Sequence, residues 1–178
     1  MLANLLRTVL LAQAILGAAV GYWLTSRWGT PQWTSVLLAL AMPFVTIVLI
    51  LLVSAVQSRP GEHAALWWRS LVGEVAAGIR VFVFRQPWSA ATPGVLPATA
   101  SPTRIPVVLV HGFLCNHRIW DDVAAALRAQ GHPVLAVDLE PLFVSIDRYA
   151  PVVEDAVNAL CRHAKVEQVA LVLSLIHI

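Results

Sequence analysis

The sequence predicts an α-helical membrane hairpin joined to part of an α/β domain, and three observations predict it. Two long segments, Thr8 to Leu24 and Trp33 to Val56, carry no charged residue. Residues 87–104 are crowded with proline, and from Ile105 onward β-branched runs alternate with amphipathic helical ones. Of the 178 residues 58% are hydrophobic and only 12% are charged, and the first acidic residue is Glu62, so the apolar weight lies at the amino-terminal end. This composition excludes a disordered chain, which needs low hydrophobicity and high charge density. The two cysteines, Cys115 and Cys161, are too few for a disulfide-stapled module. A scattered net charge of +2 forms no nucleic-acid footprint, and Lys165 is the lone lysine.

At a rise of 1.5 Å per residue the two uncharged segments reach about 26 and about 36 Å, enough to cross a hydrocarbon core of about 30 Å. Residues 1–59 therefore read as a two-helix transmembrane hairpin with spans near 8–24 and 33–56. Pro43 should kink the second helix without ending it. Trp23, Trp28 and Trp33 cluster around the short connection Thr25 to Gln32, at headgroup level. The competing reading of the first span is a cleaved signal peptide with Arg7 as its basic region. The apolar run that continues through Gly21, Tyr22 and Trp23, and the second span that follows at once, favour the hairpin. Gly17 and Gly21, with Ser35 and Ala39 on the second span, offer small-residue notches for helix packing. Arg7 and the terminal amine before the first span, with Arg59 and Arg69 after the second, outweigh Arg27 in the loop, and the balance favours both ends in the cytoplasm.

Residues 60–86 form an amphipathic juxtamembrane helix, with Trp67, Leu71, Val75 and Ile79 at four-residue steps and Arg69, Glu74 and Arg80 interrupting the apolar run. It is too charged to span, so it lies in the interface or packs on the globular domain. Pro87, Pro93, Pro97 and Pro102 mark 87–104 as a semi-rigid linker. The domain that follows, 105–172, reads as strand Ile105 to Val110, helix Ile119 to Leu127, strand Pro133 to Leu139, helix Tyr149 to Ala164 and strand Val166 to Val172. Asn116 is the expected cap of the first of these helices, and Gly131 lies just past its end. Such alternation implies parallel crossovers in an α/β fold.

The informative turn is His111, Gly112, Phe113, directly after the first of these strands. Ligands gather at the carboxyl ends of parallel strands, so the turn opens on the expected site. The stretch IPVVLVHGFLCNHRIW, followed by HPVLAVDLEPLFVSIDRYA and VEQVALV, resembles the α/β-hydrolase family in its bacterial lipase and carboxylesterase branch. The resemblance implies the N-terminal half of an α/β-hydrolase parallel sheet, beginning at the family's third strand, and an acyl-transfer site. The Phe113 N–H would be one oxyanion-hole donor, with Gly112 allowing the sharp turn. His111 would brace the loop by a hydrogen bond and Leu114 would line the acyl pocket. The implied partners are a lipid bilayer and a lipidic or other acyl ester. The implied location is a bacterial inner membrane, with the hydrolase domain facing the cytoplasm.

Other readings of the same residues carry less. His111, His117 and Asp121 straddle a turn and a helix start, a poor spacing for a metal. Cys115 reads as a small buried hydrophobe and Cys161 as a helix residue. Asp138 ends a strand on the site side, where the family uses the position to shape the pocket. No Gly-x-x-x-x-Gly-Lys loop occurs, and no cofactor is expected. After Val172 the family would continue into Gly-x-Ser-x-Gly, but the chain reads LSLIHI. Ser174 lacks the flanking glycines, the family's serine aligns with Leu175, and His177 is too close to complete a triad. Residues 173–178 are similar to the read-through of a sequencing-library adapter, so the expectation is a non-native tail on the front part of a longer, membrane-anchored serine hydrolase, itself without a triad. The other reading is a non-enzymatic membrane protein whose hairpin binds partners and whose hydrolase-like segment is a scaffold.

Overall fold

The computed structural model of the chain describes residues 1–58, 63–89, 94–99 and 104–174. The expected starts of the juxtamembrane helix at 60–62, two parts of the proline-rich linker, and Leu175 to Ile178 with their His177 lie outside the described residues. The chain divides into a helical unit, Asn4–Pro87, and an α/β unit, Trp88–Ile178 together with Met1–Ala3.

In the helical unit α1 (Leu2–Trp28) and α2 (Trp33–Gln57) are each long and apolar enough to cross a membrane. Each helix runs past its uncharged core at one or both ends, because nothing in the flanking residues breaks the hydrogen-bond ladder until Gly29. That glycine adopts φ +66 and donates its N–H to the Thr25 carbonyl at 3.0 Å, which ends α1 in a left-handed residue. Pro43 lies inside α2 without ending it. Gly17 and Gly21 face α2: a Cβ on Gly17 would fall within 3.0 Å of the Leu38 backbone, and one on Gly21 within 3.0 Å of the Ser35 Cα and N. The small-residue notches are therefore filled by the hairpin itself, while Leu11, Ile15, Leu37, Leu40 and Ile50 point outward.

The amphipathic segment forms α3 (Ala64–Ile79), continued by a π-helical turn, Arg80–Arg85. It packs on α2, a partner that the apolar stripe does not name. Gly78 meets Leu51 and Ile47 of α2, and Phe84 reaches Phe44 with ring centroids 6.1 Å apart. A stripe specifies which face is buried and leaves open against what.

The α/β unit holds a three-stranded parallel sheet of β1 (Val107–Val110), β2 (Val134–Val137) and β3 (Ala170–Leu173), in the order β2-β1-β3. Val107, Leu109, Val134 and Ala136 pack under α4 (Asp121–Ala129), with Ala124 buried against them. Val108, Val110, Leu135 and Val137 pack under α5 (Ala150–Ala164) through Ala156 and Leu160. The opposite faces follow from topology. The chain travels one way from β1 to β2 and the other way from β2 to β3, so crossovers of one hand place their helices on opposite sides. With both faces covered, β1 and β2 are wholly buried, which explains their unbroken apolar sequence.

The expected elements recur with shifted ends. A 3-10 turn (His117–Trp120) leads into α4, and the Asn116 side chain caps that turn by accepting from the Arg118 N–H at 3.1 Å. Lys165 ends α5 in the left-handed region at φ 56, and Val166 donates to the Cys161 carbonyl at 3.1 Å, so the turn after α5 consumes residues that the sequence assigns to β3. Part of the linker is paired: Leu96 and Val134 exchange hydrogen bonds of 2.8 and 2.9 Å, which satisfies Val134 on the outer edge of β2. β3 pairs with β1, and Leu171, Val172 and Leu173 on it are exposed.

Candidate functional site

The order β2-β1-β3 makes the carboxyl end of β1 a topological switch point, because the connections leaving β1 and β2 diverge to opposite sides there and open a crevice. Val110, Val137 and Leu173 are level in register, so the next residues, His111, Asp138 and Ser174, stand side by side at that edge. Ser174 continues the ladder by donating its N–H to the Val110 carbonyl at 2.9 Å.

A serine, a histidine and an aspartate in a row suggest a triad, but the hydrogen bonds exclude one. The Leu139 N–H donates to His111 Nε2 at 3.0 Å, so that nitrogen is an acceptor and carries no proton. The proton is then on Nδ1, which donates to the Gly112 carbonyl at 2.8 Å. Both ring nitrogens are committed, and His111 has no free lone pair to take a proton from a serine. It ties the turn after β1 to the end of β2.

Burial lowers the His111 pKa below its ordinary value of 6.5, against the raising effects of the Gly112 hydrogen bond and the nearby Asp138 carboxylate. Protonating Nε2 would also abolish the bond from Leu139. Because the folded state resists protonation more than the unfolded chain, the contribution of His111 to stability is fully present above pH 6.5 and is lost as pH falls from there toward the folded-state value. The unfolding midpoint of the wild-type chain should therefore fall between about pH 7 and about pH 5.5, and that slope should flatten in His111→Gln. Equal slopes in the two proteins would refute this account.

Asp138 is engaged with His117, a pairing that the sequence reading missed. One carboxylate oxygen accepts from the His117 backbone N–H at 2.6 Å, and the other accepts from its ring Nδ1–H at 2.8 Å. His117 is 6% exposed, and 21 residues separate the partners. The two histidines and one aspartate thus fix both ends of the loop 111–117 to the carboxyl end of β2. Asp121, considered with His111 and His117 as a metal set, instead binds Arg118 Nε at 2.8 Å. Among the described residues no group of three or more His, Cys, Asp or Glu is arranged to hold a metal ion.

Between these two clamps lies a turn closed by the Cys115 N–H on the Gly112 carbonyl at 3.3 Å, with Leu114 at φ 55. An L-residue in this region costs about 1 to 2 kcal/mol, so the surrounding bonds must over-determine it. The Phe113 N–H donates to no protein group among the described residues. Gly112 is half-buried, and the side chains of Phe113 and Leu114 are exposed. Cys115 is buried, and burial pushes its thiol up from its ordinary pKa, which keeps it protonated and unreactive. The arrangement offers an unengaged backbone donor, held rigidly at a strand end, beside an apolar surface. No family model, curated protein or solved structure matches this chain.

Proposed function

We propose that the chain is the membrane-anchored front part of a serine hydrolase of the α/β-hydrolase type, acting on a lipidic or other acyl ester. The observation that carries this reading is the Phe113 N–H, unengaged among the described residues, in a strained and doubly clamped turn at the carboxyl end of the central strand. A donor fixed before the reaction begins is what a developing oxyanion requires, because it costs no reorganisation when charge appears. Gly112 permits the close approach, and Leu114 and Phe113 supply an apolar wall for an acyl chain. His111, Asp138 and His117 are positioning residues.

In this reading a serine from beyond Val172 attacks the ester carbonyl carbon while a histidine takes the hydroxyl proton. The leaving alkoxide departs with that proton as an alcohol, and water then releases the acid from the acyl-enzyme. Phe113 N–H holds the oxyanion in both steps. The register favours such a nucleophile: β3 lies directly beside β1, so a residue just past the end of β3 is delivered next to the turn. The hairpin α1–α2 spans the bilayer and, by its flanking arginines, keeps both ends in the cytoplasm. The partner-binding scaffold reading is weakened, because Gly17 and Gly21 are used inside the hairpin.

Resequencing the gene through and past the Val172 codon from independent genomic DNA tests the proposal. A Gly-x-Ser-x-Gly motif in frame after Val172, together with fluorophosphonate labelling of the full-length protein that is lost on replacing that serine by alanine, is the expected result. A stop codon directly after the Ile178 codon would overturn it.

A further inference from the structure

The loops at the carboxyl edge of the sheet carry an apolar surface larger than an oxyanion turn requires. Phe113 and Leu114 after β1, and Phe143 and Ile146 after β2, are all exposed, Phe143 by 67% and Ile146 by 80%. The two phenyl rings meet edge to face with centroids 5.7 Å apart, so the two loops present one continuous patch. Leu114 and Phe143 both sit in the left-handed backbone region, at φ 55 and φ 62. Their neighbours Cys115 and Leu142 turn inward and are buried, so each loop alternates one anchoring residue with one apolar residue held outward at its tip. Soluble surfaces rarely gather such residues without something to cover them.

The chain itself indicates what covers them. Residues 89–95 connect the helical unit to Leu96, which is already paired to the edge of β2, and at no more than about 3.5 Å per residue they reach at most roughly 30 Å. A bilayer that holds α1 and α2 is therefore always within reach of the α/β unit, at a high effective concentration that makes even weak insertion persistent. Asp147 and Arg148 in the loop after β2 mix both signs, and Glu140 is neutralised by the terminal amine at 2.6 Å, which suits a zwitterionic surface rather than a strongly charged one.

We infer that Phe113, Leu114, Phe143 and Ile146 form a membrane-contact tip, by which the carboxyl edge of the α/β unit rests in the headgroup and upper acyl region of the phospholipid bilayer that holds the hairpin. The inference rests on the hairpin spanning a bilayer and is independent of whether the site hydrolyses esters. An acyl chain would reach the turn after β1 from the bilayer without crossing water.

The test uses the full chain in phosphatidylcholine vesicles, with both native cysteines replaced by alanine and a single nitroxide placed by Ile146→Cys, Leu40→Cys or Glu167→Cys. Leu40 lies in α2, and Glu167 lies just before β3, at the amino end of the sheet. The expected result is that oxygen, which concentrates in hydrocarbon, relaxes the labels at 146 and 40 more than a water-soluble nickel chelate does, with the reverse at 167. A label at 146 that matches 167 while 40 remains in hydrocarbon would overturn the tip alone. Shielding of 146 from both relaxants would show protein covering the patch and would also overturn it. An aqueous label at 40 would overturn the spanning hairpin and the tip together. In the chain with its cysteines intact, benzoylphenylalanine at position 146 should form a phosphatidylcholine adduct on irradiation, and absence of the adduct counts against the tip even if the cysteine-free protein folds poorly.

Discussion

Replacing Asp138 by alanine should lower the stability of the α/β unit by about 3 kcal/mol, whereas replacing it by asparagine should cost only about 1 kcal/mol. Alanine removes both acceptors and leaves the His117 backbone N–H and its Nδ1–H buried without partners, each carrying its own desolvation cost. Asparagine offers a different solution. Its carbonyl can accept from the His117 backbone N–H while its amide donates to Nδ1, provided that the ring moves its proton to Nε2. The small loss in Asp138→Asn is thus tied to a change of tautomer, which nitrogen-15 chemical shifts of the His117 ring report directly. Urea titrations of the two variants give the free energies. A loss in the alanine variant below about 1 kcal/mol, or an unchanged tautomer in the asparagine variant, would show that the clamp is not what holds the loop.

That clamp also marks where the sequence stopped being informative. Strand and helix order in the α/β unit follows from local patterning: β1 and β2 are unbroken apolar runs because both of their faces are covered, and α5 shows its apolar stripe. The turn at His111 to Phe113 was visible because it follows a strand end. The pairing of His117 with Asp138 was not, because it depends on two loops meeting across parallel strands after 21 intervening residues. The available signal was a lone aspartate at the end of a buried strand, which needs a donor nearby, and the loop after the adjacent strand β1 supplies it. The same limit applies to α3. Its stripe was legible and its partner on α2 was not, since Gly78 says only that something approaches closely. The late start of β3 reflects the left-handed Lys165, a C-cap position where glycine is the usual signal and where this chain carries lysine. The left-handed Leu114 and Phe143 were illegible for the same reason: large apolar residues give no hint of positive φ, and they persist only because neighbouring bonds force the conformation.

In the helical unit the largest effects belong to the seam at Gly17 and Gly21, and Gly21 serves as its test position. The two helices approach there until the Ser35 Cα and N would lie within 3.0 Å of any Cβ on residue 21, and backbone cannot move aside as a side-chain tip can. In lipid no hydrophobic force draws the helices together, so close van der Waals packing along this seam is a main source of their association. Gly21→Ala should already cost about 1 to 2 kcal/mol, and Gly21→Leu should cost more than about 3 kcal/mol and part the helices. Gly73 provides the control. A Cβ there has nothing within 4 Å, so Gly73→Ala should gain up to about 1 kcal/mol from helix propensity alone. The comparison is made by titrating the detergent-solubilised full chain with sodium dodecyl sulfate and following the loss of helix contact by fluorescence transfer between labels near the free ends of α1 and α2. Equal midpoints for Gly21→Leu and wild type would mean that the seam contributes nothing and that the hairpin is held by its short connection alone. A rise in Gly73→Ala with a steep fall across the Gly21 series separates steric closeness from the general cost of altering a helical glycine, which the two positions share.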